Sequence, residues 1–218
     1  MDKIRLRYGK TGKAKYISHL DLLATMRRAL LRVNVELNYS EGFNPHTYMS
    51  VALPLPVGCG SECELLDFGS PRTDRLPDLP ELINATLPDG LEIYDAYMPT
   101  HKFTEIACVE ISGFFHYDKG APLNIEERMS ERFNSECIMV TKKTKRGMTE
   151  VNIAPQVRKV MITGIDNVTI SIRLTAQNPT LNPGSILNAF QDENADLLPD
   201  YASFTREEIF DSEMTIFR

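Results

Sequence analysis

The sequence contains no tryptophan, and only four of its 218 residues are cysteines. Of these, at positions 59, 63, 108 and 137, only Cys59 and Cys63 stand close together. A structural zinc site usually takes two close pairs of ligands, and an iron–sulfur cluster takes more cysteines in register. We therefore predict reduced thiols, no metal site and no cofactor.

Long apolar runs are also missing, since no stretch approaches the roughly 18 residues that a membrane-spanning helix requires. The first ten residues, MDKIRLRYGK, are charged and alternating, unlike a secretory signal. The sequence therefore predicts a cytoplasmic protein without membrane contact. The segment GKTGKAK lacks the spacing of a P-loop, and neither a G-x-S-x-G nor an H-E-x-x-H motif is present.

The net charge of −6 is unevenly distributed along the chain. Residues 1–50 hold nine Lys/Arg and four Asp/Glu, a net of +5, and the remainder carries 15 basic against 26 acidic residues, a net of −11. A basic end on an acidic body favours an acidic or polyanionic partner, RNA among them. The alternative is a solvated helix face with no partner.

The first half of the chain predicts the element order β-α-β-β-α-β, which is the ferredoxin-like unit. Residues 4–8 alternate and predict a strand. Ser18 then begins a helix as its N-cap, with Asp21 completing a capping-box variant. The predicted buried face of this helix is formed by Leu20, Leu23, Met26, Leu30 and Val33. Its arginines fall largely outside that face.

The second half predicts a similar order, with a strand, a helix, a hairpin, a strong strand at 167–177, a further helix and a final strand. We therefore predict an α+β fold of two ferredoxin-like halves packed together, with domains 1–101 and 102–218. One larger α+β domain is the alternative.

Most candidate site residues lie on two unusual runs that flank the first helix, Lys13–Asp21 and Tyr39–His46. Lys13, Lys15, His19, Arg27 and His46 are residue types that bind phosphate, and the free N–H groups of a helix N-terminus favour an anion. We predict that the second run packs beside this N-terminus and brings His46 near His19. A metal-independent RNA-processing enzyme that uses these two histidines is one hypothesis. Each histidine serving only a surface or capping role is the other.

The second run, from Tyr39 to His46, combines turn formers with aromatic side chains. Gly42 predicts a turn conformation closed to other residues, and Asn44-Pro45 a second bend. Tyr16, Phe43 and Tyr48 could stack on bases. The alternative for Phe43 and Tyr48 is that they fill the gap between helix and sheet. For Phe43 we favour the filling role.

A second basic cluster consists of Lys142, Lys143, Lys145 and Arg146, on the predicted hairpin turn. A solvated turn is the favoured interpretation, and a path for nucleic acid is the alternative.

Three motifs carry a resemblance to a known family: KYISHLDL at 15–22, YSEGFNPH at 39–46 and LPLPVG at 53–58, followed by Glu62 and Glu64. They closely resemble the radical-SAM-linked protein family, whose bacterial members stand beside, or fused behind, a radical SAM protein. The run SHLD and the doubled ferredoxin-like order also resemble, distantly, the RNA-processing RAMP proteins of CRISPR systems.

The resemblance implies a radical SAM protein as partner and no established activity. Cys59 and Cys63 supply the first spacing of a radical SAM cluster motif, but the third position is Leu66. We therefore expect no catalysis by this chain alone. The leading hypothesis is an accessory or substrate-binding module for a separate radical SAM enzyme acting on RNA or a translation component. The alternatives are the two-histidine RNA-processing enzyme and a protein-interaction scaffold that binds no nucleic acid.

The predicted RNA- or partner-binding residues are Lys13, Lys15, Tyr16, His19, Asp21, Arg27, Arg28, Tyr39, Ser40, Gly42, Phe43, Asn44, Pro45 and His46.

Overall fold

The computed structural model describes residues 2–144, 147–164, 167–177, 181–190 and 192–218. The chain divides into two compact units, Met1–Glu105 with Arg218, and Ile106–Phe217. The predicted domains, with a boundary after residue 101, stay a prediction, because compactness does not show that either part folds alone. No helix in the described ranges is long and apolar enough to cross a membrane.

The first unit has the ferredoxin-like order of elements. They are β1 (Lys3–Lys10), α1 (His19–Arg32), β2 (Met49–Val51), β3 (Gly60–Gly69), α2 (Leu79–Asn84) and β4 (Leu91–Tyr97). Within this unit the strands are ordered β4-β1-β3-β2 and each pair is antiparallel. A short 3-10 helix, Gly12–Tyr16, connects β1 to α1.

Alternation along β1 sorts its side chains between the two faces of the sheet. Ile4, Leu6 and Tyr8 belong to a buried core that includes Met26 and Leu30 of α1. Arg5 falls on the opposite face, because successive strand residues point to opposite sides. The sheet therefore receives α1 and α2 on its apolar side.

The second unit repeats this topology with one addition. Its elements are β5 (Cys108–His116), α3 (Ile125–Asn134), β6 (Met139–Thr144), β7 (Gly147–Asn152), β8 (Val157–Thr163), β9 (Asn167–Thr175), α4 (Gly184–Leu187) and β10 (Tyr201–Phe210). The four strands of its sheet are ordered β10-β5-β9-β8, whereas β6 and β7 pair with each other as a separate hairpin. Phe115 of β5 packs edge-on against Phe190 and Phe204 in the core.

The α+β class and the ferredoxin-like order of both halves are confirmed. The strand β8 is missing from the sequence prediction, which left only the hairpin and β9 between α3 and α4. In the structure β8 takes the second strand position, and the hairpin is an insertion between α3 and β8. The predicted helical segment after residue 184 is short, with α4 followed by 3-10 turns at Asn188–Phe190 and Asp192–Leu197.

Candidate functional site

Two of the three motifs meet at the N-terminal end of α1. The backbone N–H of Gly58 donates to the carbonyl oxygen of Lys15 at 2.9 Å. A Cβ on Gly58 would lie 3.9 Å from the ring of Tyr16, so the turn before β3 sits directly against that ring. KYISHLDL, which includes the first turn of α1, and LPLPVG, which lies more than 30 residues further along the chain, therefore form one surface.

This surface exposes large apolar side chains. Tyr16 is 61% exposed, Leu20 76% and Val57 60%. The ammonium group of Lys15 lies 5.3 Å from the centroid of the Tyr16 ring, within the range of a cation–π contact. We call Lys13, Lys15, Tyr16, Leu20 and Val57 the α1 surface.

Hydrogen bonds fix the backbone beneath the α1 surface. Ser18 caps α1, because its hydroxyl accepts from the Asp21 N–H at 3.2 Å and donates to the Asp21 carboxylate at 2.7 Å. The buried ammonium group of Lys10 donates to the carbonyl oxygen of Ile17 at 2.9 Å. Burial lowers the pKa of Lys10, and the nearby Glu64 opposes that shift. Hydrogen bonds therefore hold the backbone that carries the α1 surface.

The remaining predicted residues of α1 are spread along the helix. His19 is half-buried in the first turn, and Asp21 is engaged in the cap. Arg27 and Arg28 are exposed about 12 Å further along, at 1.5 Å per residue. Within the described ranges, neither arginine forms an ion pair.

The prediction that Leu20 is buried is wrong. The buried residues of α1 are Leu22, Met26, Ala29 and Leu30, and Leu23 and Val33 are partly buried. The apolar stripe is therefore centred on Leu22 and Met26, which turns Leu20 outward.

The run Tyr39–His46 forms the larger part of a small hairpin that ends at Thr47. A bridge joins Tyr39 to Thr47, and the Ser40 N–H donates to the His46 carbonyl oxygen at 2.9 Å. The Ser40 hydroxyl lies 2.9 Å from the His46 ring nitrogen Nδ1 and accepts from the His46 N–H at 3.1 Å.

The hairpin tip, residues 41–45, is wholly exposed. Gly42 has the predicted left-handed conformation, with φ of +116°. The prediction that Phe43 fills a gap between helix and sheet is wrong, because its ring is fully exposed, at 112% of the reference area. No other part of the described chain covers this tip.

The prediction that His46 lies near His19 is also wrong. Lys3 pairs with Gly69 at one end of β1, and Lys10 with Ser61 at the other. The start of α1 lies near Lys10, where the Lys10 ammonium group contacts Ile17. The hairpin lies at the opposite end of β1 and β3, near Gly69, where the Asn38 N–H donates to the Gly69 carbonyl oxygen. Eight strand residues span about 23 Å. The two histidines therefore do not form one site, which rules out an enzyme that uses them together.

A buried ion pair lies on the other face of the same sheet and escaped the sequence analysis. Arg5 donates to both carboxylate oxygens of Asp67, at 2.7 and 3.0 Å. The predicted basic cluster at 142–146 lies outside the described part of the chain, because Lys145 and Arg146 are not among the described residues and the side chains of Lys142 and Lys143 are not described.

Two ferredoxin-like units, one of which carries an exposed apolar surface, define the class: an α+β protein with a candidate binding surface on its first unit. More particularly, residues 3–183 match the family described as "uncharacterized protein conserved in bacteria" (DUF2344), and the chain belongs to this family. The comparison with curated proteins finds no match.

Solved structures support the fold alone. A chain in the crystal structure of a Cbf5–Nop10–Gar1 complex aligns with 94% of this chain at 10% identity and a TM-score of 0.50. The chain spans about half of that protein, since the match covers 48% of it. DyPB from Rhodococcus jostii RHA1 aligns over 94% of this chain and 92% of its own length, at 11% identity. The TM-score of 0.22 is too low to indicate a shared fold.

Proposed function

We propose that this protein is an accessory module that docks onto a separate radical SAM enzyme through the α1 surface and presents RNA to it. The observation that supports docking is the exposed trio of Tyr16, Leu20 and Val57 on a backbone held by the cap and by Gly58. Exposed apolar side chains on a hydrogen-bonded backbone favour a partner interface, because the backbone loses little further entropy on binding. The class of partner follows from the resemblance of the motifs to radical-SAM-linked proteins.

The charge of the α1 surface restricts the docking partner. Lys13 and Lys15 flank the apolar side chains, and the first 50 residues carry a net +5. The complementary patch on the enzyme is therefore apolar at its centre and acidic at its rim.

The first prediction concerns docking. Leu20→Asp is expected to weaken binding to the radical SAM protein encoded in the same genome about 30-fold or more, because a charge replaces an apolar anchor. Binding is measured by isothermal titration of the two purified proteins. The fold tolerates the change, since Leu20 is 76% exposed.

The matched control is Leu123→Asp, which places the same charge on a side chain 88% exposed in the second unit. Its affinity is expected to equal that of the wild type. Docking through the α1 surface is refuted if the wild type does not bind at about 100 µM, or if Leu20→Asp binds as the wild type does.

RNA as the presented substrate is supported by the exposed arginines of α1. Arg27 and Arg28 are exposed on α1, and neither forms an ion pair among the described residues. Lys13 is exposed in the 3-10 helix that precedes α1. Such cations bind phosphates and read no base identity. The acidic remainder of the chain keeps the affinity modest at physiological salt.

The second prediction concerns this RNA contact. Replacing Arg27 and Arg28 with alanine is expected to weaken single-stranded RNA binding alike for all sequences. The slope of log K against log salt should fall by about 1.4, at roughly 0.7 per phosphate contact. Fluorescence anisotropy over a salt series measures both quantities.

Arg158→Ala with Lys159→Ala is the matched control, since it also removes two exposed cations, here from β8. An unchanged slope in the α1 variant, or an equal change in the β8 variant, would exclude α1 as the RNA contact.

A further inference from the structure

The Tyr39–Thr47 hairpin carries a fully exposed aromatic side chain, Phe43, at its tip. Bonds between Ser40 and His46 close the hairpin, so the tip that carries Phe43 extends from an ordered base. A fully exposed phenyl ring leaves apolar area in water, and its burial would be favourable. The exposed Phe43 ring is therefore a candidate for insertion into an apolar pocket of a binding partner.

A pocket of matching size opens beside the same hairpin. It has a volume of about 230 Å³, and its lining includes Tyr48 and Met49 together with the charged residues Lys3 and Asp67. This volume is below the roughly 300–1,000 Å³ of sites for larger small molecules, and suits a single ring. The pocket and Phe43 therefore lie on one surface, at the Lys3 end of β1.

This surface also carries charges of both signs. Glu41 is exposed two residues before Phe43, and Lys3 lines the pocket. The chain has no Lys or Arg between residues 33 and 71, so Lys3 is the one lysine or arginine that the hairpin and the pocket lining offer to a phosphate. RNA and anionic membranes are therefore poor occupants.

We propose that the occupant is a second copy of this chain. Phe43 of each copy enters the pocket of the other, and Glu41 lies against Lys3 of the second copy. Because the projection and the pocket lie on one surface, two copies related by a two-fold axis can make both contacts at once, and the proposed contact is this isologous dimer. Each copy contributes both contacts, which doubles the effect of every substitution.

The test uses sedimentation equilibrium of the full chain from about 1 to 300 µM at low salt. A small interface of this kind gives a weak dimer, with a Kd on the order of tens of micromolar. Phe43→Ala is expected to raise that Kd at least 10-fold. Leu123→Ala, which removes another exposed leucine in the second unit, is expected to leave it unchanged.

A charge exchange tests the pairing of Glu41 with Lys3. Glu41→Lys and Lys3→Glu are each expected to weaken the dimer, and the double variant should recover most of the loss. A chain that stays monomeric at 300 µM overturns the proposal. So does a Phe43→Ala variant that dimerises like the wild type, because another surface then forms the contact. A monomer in which Phe43→Ala weakens only the radical SAM partner assigns the hairpin to that enzyme instead.

Discussion

Arg5→Ala is expected to lower the free energy of unfolding by about 3–5 kcal/mol, the usual effect of removing one partner from a buried ion pair. The side chains of Arg5 and Asp67 are 1% and 7% exposed. Alanine at position 5 leaves the Asp67 carboxylate without its bidentate partner and away from water. Urea denaturation, with the midpoint and slope analysed together, measures the change.

Other contacts of Arg5 add to this effect. Its Nη2 also donates to the carbonyl oxygen of His101 at 2.9 Å, and its guanidinium lies 4.4 Å from the centroid of the Phe103 ring. The guanidinium therefore attaches the segment after β4 to the sheet, which a lysine at position 5 could not reproduce with one ammonium group.

An exposed ion pair provides the control. Arg72 lies 3.5 Å from Asp74, with side chains 70% and 60% exposed, so Arg72→Ala should change stability by about 0.5 kcal/mol or less. A loss below about 1 kcal/mol for Arg5→Ala would show that the buried pair is unimportant. Replacing both Arg5 and Asp67 with apolar residues is expected to recover much of the loss, because no charge is then left buried.

Arg5 also shows what the local pattern of a sequence leaves undetermined. The alternation in IRLRY correctly predicts a strand and assigns Ile4 and Leu6 to one face. It equally predicts that Arg5 faces solvent. Its burial depends on Asp67 in β3, 62 positions away, and on the segment at His101. The alternation of residues within β1 cannot show these long-range contacts.

The start of α1 was predictable because its cause is local. A serine three residues before an acidic side chain can cap a helix, and here the Ser18 hydroxyl accepts from the Asp21 N–H and donates to the Asp21 carboxylate. The position of the hairpin was not predictable, since it depends on the register of β2 on β3, where Met49 pairs with Phe68. Nearness in sequence to α1 suggested a shared site, but the two ends of α1 lie about 20 Å apart.

β8 was missed for a related reason. Its residues Arg158 and Lys159 are exposed, and Pro155 stands just before it, so the segment resembles a connection. Its strand conformation comes from pairing with β9, as Ile162 opposite Ile170 shows. Leu20 and Phe43 were misassigned because apolar residues are expected inside, whereas folded proteins also leave apolar side chains exposed.

Gly90→Ala is expected to lower the free energy of unfolding by about 2–5 kcal/mol. Gly90 has φ of +86°, which disfavours any side chain, and a Cβ there would lie 2.4 Å from the backbone oxygen of Thr11. Positive φ costs on the order of 1–3 kcal/mol, and overpacking adds a similar amount. The contact is also structural, because the Thr11 N–H donates to the Gly90 carbonyl oxygen at 2.8 Å.

The same substitution should disturb the α1 surface, since relief of the clash moves the 3-10 helix that carries Lys15 and Tyr16. Gly12→Ala is the control within that turn: its φ of +51° is also left-handed, but nothing lies within 4 Å of its Cβ position. It should cost only about 1–2 kcal/mol, because strain acts there without a clash. Denaturation midpoints and titrations with the radical SAM protein distinguish the two variants. Equal losses of stability and affinity in both would mean that the close approach of Gly90 to Thr11 does not position the α1 surface.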